Sequence, residues 1–238
     1  MATQAASHIG LITGDSKSNQ AAARDSATGT PTNSPSGDQN SMQYFQSSGR
    51  GGGTFRYIRT FFRFDTSGIS GGSSFSLQVG KATAGSTTKV FVVKSDAFNG
   101  EDTTLAANDF NNLDFGTLYS ATATGTTWAY GSGTNDVALN SAFTTFANAN
   151  SVTRVALVGI LDYNDVGLEE DGADTHTIDF SGTIQLSYTA AATGYNNTVN
   201  FVADDGIAKV NTVATANKNT NTSRNCKFTN YYPITGYR

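Results

Sequence analysis

A chain of 238 residues with 14% charged side chains, 25 Gly and 3 Pro can bury a core of its own, and its Thr, Phe and Tyr content punctuated by Gly, Asn and Ser reads as all-β with many turns. A single cysteine, Cys226, excludes an intrachain disulfide and a cysteine-rich zinc site. The net charge of -4 is uneven: Lys209, Lys218, Arg224, Lys227 and Arg238 give residues 207–238 a charge of +5 with no acid, which leaves -9 on residues 1–206.

Residues 1–17 read as an N-terminal arm. "MATQAASHIGLITG" has no basic stretch ahead of an apolar run, and no segment approaches the roughly 20 apolar residues of a membrane span. Neither a signal peptide nor membrane insertion is therefore expected. Residues 18–54 are polar and Gly/Ser-rich around a short strand candidate, "MQYFQ". From Thr54 the strand signals become regular. In "TFRYIRTFFRF" the positions Ile58, Thr60, Phe62 and Phe64 alternate toward a core, while Tyr57, Arg59, Phe61 and Arg63 share the other face. Arg59 and Arg63 are expected to lay their stems over Tyr57 and Phe61, and Asp65 to cap the turn that follows through the Ser67 and Gly68 amides.

"FSLQV" alternates, whereas "KVFVV" and "VTRVALVGIL" are runs suited to strands buried on one or both faces. Between them "DVALNSAFTTFANAN" sets Leu139, Phe143 and Phe146 at helical spacing, with Asn140 or Ser141 as the cap. "HTIDF" and "TIQLSYT" return to alternation, with Ile184, Leu186 and Tyr188 inward. Beyond Thr189 the character changes. "AAATGYNN" is a linker, "TVNFVADDGIAKVNTV" reads as a hairpin turning at Asp205-Gly206, and "CKFTNYYPITGYR" ends the chain with Phe228, Tyr231, Tyr232 and Tyr237. Strands every 10–20 residues with one short helix predict a two-sheet antiparallel β-sandwich, jelly-roll-like, over residues 18–190. Extended arms at 1–17 and 191–238 flank it.

"YIRTFFRFDTSGI" followed by "FSLQVGK" resembles the repeated signature of β-sandwich modules of the DNRLRE and carbohydrate-binding-module-like type. The resemblance continues through "VFVVKSDA", "ANDFNNLDFGTLYS", "TNDVALNSAF", "VTRVALVGILDYNDVG" and "DFSGTIQLSYT", and so covers Ser18 to Thr189. The segment after Asp65 lacks the proline usual there, and the last 48 residues have no counterpart. Such modules occur in bacterial surface proteins and in virion proteins of tailed phages. The resemblance implies packing, adhesion or sugar contact rather than catalysis.

The chain holds two histidines, His8 and His176. His176 has Asp174 and Asp179 nearby in sequence but no G-x-S-x-G nucleophile elbow accompanies it, and "GRGGG" opens no helix pattern that would cradle a phosphate. Glu101, Glu169 and Glu170 offer no evident acid–base pair for glycoside hydrolysis. The densest oxygen cluster is "DYNDVGLEEDGAD", with Asp162, Asn164, Asp165, Glu169, Glu170, Asp171 and Asp174. An EF-hand loop would need oxygen ligands where Val166 and Ala173 stand, so a solvated acidic loop is the expectation and calcium the alternative. No catalytic residue, cofactor or metal is assigned.

A basic aromatic tail on an acidic body suits protein docking, whereas five charges diluted by Asn and Thr make a weak footprint for nucleic acid. The expected function is a structural protein of a tailed-phage virion, decorating or cementing the capsid or serving in the tail. Its expected partners are other virion proteins and copies of itself, without nucleic acid or membrane. Lys218, Arg224, Lys227, Phe228, Tyr231, Tyr232 and Tyr237 are the expected assembly contacts. The alternative is a carbohydrate- or receptor-binding adhesion module, contacting a host-surface glycan through a platform that includes Tyr44, Tyr57, Trp128 or Tyr130.

Overall fold

The computed structural model describes residues 1–33, 41–47, 53–82, 88–98, 103–166 and 174–191, without the side chains of 41–43 and 174–177. Residues 1–191 form one compact unit and 192–238 a second. The second lies outside the described residues, as do the hairpin and assembly contacts expected within it.

The first strand is β1, Ala2–Gly14, where the sequence suggests an arm. It is integral to the sheet. Its first residues pair with the end of β11 (Asp174–Thr189), Ala2 opposite Tyr188. From Ala6 onward it pairs with β4 (Phe55–Asp65), and residues 10–14 pair on the other edge with β2 (Gly29–Asn33). The arm reading fails because Gly10, Leu11, Ile12 and Gly14 are buried. Both faces are covered here, so no simple alternation marks the strand.

Among the described residues eleven strands join in one curled, antiparallel sheet. The path runs β2–β1–β11–β3–β4–β10–β6–β7, with β3 at Ser41–Gln46, β6 at Thr88–Ser95, β7 at Leu113–Leu118 and β10 at Val152–Gly159. Off this path, β5 (Ser73–Lys81) lies between β11 and β9 (Thr134–Ala138), and β8 (Thr126–Trp128) pairs with β6. Where the sequence suggests two strands, "HTIDF" and "TIQLSYT" are one. β11 changes partner midway, from β3 before Asp179 to β5 after it. An irregularity marks that change: Phe180 to Ile184 spans four steps against two from Lys81 to Val79 on β5. Gly182 takes a left-handed φ of 72° there, and a Cβ at Gly80 would run into the Ser181 carbonyl.

Two buried clusters fill the unit. The first joins Phe62, Phe64, Val92, Val155 and Leu157 to Phe75, Leu77, Val79, Phe180 and Leu186, so it draws on the β4–β10–β6 part of the curl and on β5 and β11. Helix α2, Ser141–Ala149, closes it with Phe143 and Ala147 one turn apart. Its N-cap is Asn140, whose side chain accepts from the Phe143 amide at 3.1 Å.

The second cluster lies on the opposite face of the same three strands, with Tyr57, Phe61, Phe91, Val93, Ala156 and Val158. β4 is therefore buried on both faces rather than on the expected one. Two short helices, α1 (Gln20–Arg24) and α3 (Ile160–Asn164), and a 3-10 turn at Ala107–Asn111 border this second cluster. Sequence reading predicts one helix. α3 escapes it because "ILDYN" continues the apolar run of β10 without a break.

Candidate functional site

The chemistry-bearing groups meet beneath the second cluster, around Arg59. Alternation on β4 turns Arg59 to the face of Tyr57 and Phe61, and its side chain is fully buried. The guanidinium grips Asp162 of α3 in a two-pronged pair: Nε donates to Oδ2 and Nη2 to Oδ1, both at 2.8 Å. Nη1 donates to the Phe110 carbonyl at 2.9 Å and Nη2 also to the Arg24 carbonyl at 2.8 Å. The planar fork thus ties β4 to α3, to the 3-10 turn and to the end of α1.

Arg24 forms the second layer. Its Nε donates to the Asp162 carbonyl at 2.8 Å, and it lies 3.5 Å from Asp25 and 3.7 Å from Asp165. The two guanidinium centres sit over aromatic rings, Arg59 at 4.3 Å from Phe110 and Arg24 at 4.2 Å from Phe115. Tyr163 of α3 stacks on Phe91 with centroids 4.0 Å apart. Burial, and next the Asp162 charge, raise the Tyr57 pKa far above the ordinary phenol value.

This arrangement binds elements together and holds no nucleophile. A guanidinium neither gives nor takes a proton in catalysis, and both Asp162 oxygens are occupied. The expectation that Arg59 serves by laying its stem over Tyr57 and Phe61 is corrected: its guanidinium is buried on Asp162, 103 residues away in sequence. Arg63 is half-buried and its Nη1 donates to Ser7 Oγ at 3.1 Å. Asp65 caps its turn through the Ser67 amide at 3.0 Å, as expected, and its second bond is from the Ser67 hydroxyl at 2.6 Å rather than from the Gly68 amide. Those bonds, the hydroxyl's foremost, lower its pKa below the usual carboxylate value.

The acidic run is divided by the fold. Asp162 is buried in the Arg59 pair, Asp165 ends α3 with a left-handed φ of 54°, and residues 167–173 lie outside the described residues. Among the described residues no group of three or more His, Cys, Asp or Glu side chains is placed to hold a metal ion. A second buried carboxylate, Asp109, accepts from the Ala106 and Phe98 amides and from the Asn112 side chain, and fastens the ends of the segment between them.

Three of the four platform aromatics are core residues. Tyr44, Tyr57 and Trp128 are buried, and the Trp128 indole donates to the Asp179 carbonyl at 3.1 Å. Tyr130 is half-buried against the first cluster. His8 lies on β1 beside Phe98, and His176 lies on β11, opposite Tyr44 in the β3 register. Sequence reading misses Arg24, Phe110 and Phe115. The available signal is an arginine on the apolar face of a strand, which calls for a buried carboxylate elsewhere.

No family model and no curated protein matches the chain.

Proposed function

We propose that the chain is a non-catalytic structural module of a tailed-phage virion, decorating or cementing the capsid and assembling through its C-terminal segment. The observation that carries the structural reading is the use made of the groups in the opening motif. Arg59 and its partner Asp162 clamp four elements, Asp65 closes a turn, and Tyr57 fills the core. These groups are committed to holding the fold, as in a load-carrying shell component.

Within this reading the curled sheet is a jelly-roll-like sandwich. Its support is the exchange of partners by β1 and β11 and the core drawn from both parts of the curl. The virion placement rests on the resemblance and on the +5 tail set against the -9 remainder. Partners are then other virion proteins and further copies of the chain.

Gel densitometry of purified particles tests the proposal. A copy number commensurate with capsid sites supports decoration, and a low number moves the protein to the tail. Absence from particles, together with retention on a glycan column, overturns the proposal in favour of an adhesion module.

A further inference from the structure

The β4 face that carries Tyr57, Arg59 and Phe61 continues to Arg63, and there the treatment of charge changes. The sheet register sets His8 of β1 and Arg154 of β10 directly opposite Arg63, one on each side. Directly opposed residues share a face, with Cβ atoms about 4.5–5.5 Å apart. Three basic side chains thus form a row across adjacent strands, each half-buried and within reach of solvent.

Arg63 and Arg154 are like charges directly opposed, an unfavourable placement unless something neutralises it, and burial followed by the Arg63 charge lowers the His8 pKa, so that at neutral pH His8 enters the row as an imidazole. Arg59 has Asp162. Among the described residues Arg63 makes no ion pair, and its Nε is buried with no hydrogen-bond partner. The next carboxylate on this face of β4, Asp65, feels the Arg63 charge without forming an ion pair with it, and its Oδ1 is taken by the Ser67 amide and hydroxyl. Arg154 has interactions of its own within the chain. Beside the row, Ser7 Oγ donates to the Arg63 carbonyl at 3.0 Å and accepts from Arg63 Nη1 at 3.1 Å, so it positions the guanidinium and keeps no proton for a ligand.

We propose that Arg63, flanked by His8 and Arg154, forms a binding site for one tetrahedral oxyanion, a phosphate or sulfate group. The guanidinium fork of Arg63 would engage two of its oxygens, and the side chains on either side would reach the others. A planar carboxylate is satisfied by one fork, whereas donors arriving from three strands suit a group with more than two oxygens. The anion is either free or the ester group of a sugar.

The test uses the full-length chain. Sodium sulfate is titrated while the arginine Nε–H signals are followed by nuclear magnetic resonance, with sodium chloride at matched ionic strength as reference. The Arg63 signal should shift saturably with sulfate and not with chloride. Arg63→Gln should abolish saturation at the remaining signals of the row, whereas Arg56→Gln should preserve it. Should Arg63→Gln not fold, His8→Gln replaces it, and the sulfate-specific rise in melting temperature seen in the parent should be reduced. Glucosamine 6-sulfate binding more tightly than sulfate identifies a sugar ester as the ligand, and weaker or equal binding identifies the free ion. Equal responses to chloride and sulfate, or saturation that survives in Arg63→Gln, overturn the proposal.

Discussion

Arg59 and Arg63 stand four residues apart on one strand, yet among the described residues only the first forms an ion pair with a carboxylate. Removing one partner of a buried pair leaves an uncompensated charge, a loss of about 3–5 kcal/mol. Asp162→Ala should therefore lower the unfolding free energy obtained from a urea titration by that order, and Arg59→Met combined with Asp162→Leu should recover most of it. Recovery is the more telling measurement, because it separates the cost of a stranded guanidinium from the worth of the pair. Tyr119 and Tyr57 test burial differently. Burial raises both phenol pKa values, Tyr119 to about 12. A folded pKa above the unfolded value means that this stability is complete below pH ~10 and falls as pH rises through the folded pKa. In an absorbance titration at alkaline pH, these two should ionise only as the circular dichroism of the fold is lost.

At the scale of elements, what could be read from sequence was whatever carried a local period. Helix α2 was legible because Phe143 and Phe146 keep helical spacing behind a capping Asn140, although Leu139, expected on the same face, precedes the cap and bridges Ser120. The strand around Leu77 was legible by alternation, and β4 was legible as a strand with only one of its two buried faces assigned to the core. β1 was not, because a strand covered on both faces loses its period, and Gly10 is small where Leu105 packs against it. The Arg59 centre was half legible: an inward arginine is visible in sequence, but the partner 103 residues away is chosen by the fold. Two substitutions check these elements. Ile12→Pro should unfold the unit, since it removes a ladder hydrogen bond from a strand paired on both edges, whereas an arm would tolerate it. Gly80→Val should destabilise by about 1–3 kcal/mol in denaturant titration, because the Ser181 carbonyl occupies the space its side chain needs.

For the whole molecule, the division at Ala191 separates a sheet that closes on itself from a segment with a different composition. Deleting residues 192–238 should leave the far-ultraviolet circular dichroism of residues 1–191 in place and abolish incorporation into particles. Full incorporation of the truncated chain would contradict a role for the tail in assembly. Loss of the β signal would show instead that the first unit needs it.

The pairing of Ala2 with Tyr188 also governs when the fold can form. On a ribosome the first strand emerges long before its partner, and the edge it offers to β11 stays open until nearly the whole of the first unit has been made. Its other contacts, with β4 and β2, form earlier, so the growing chain passes through a half-closed sheet with Leu77 and Val79 still waiting for the strand that completes their core. Closing so distant a contact is slow, and among the described strands it comes last. The last described strand to arrive is therefore the one that shuts the sheet, and crowding by unfinished neighbours is most dangerous just before it does.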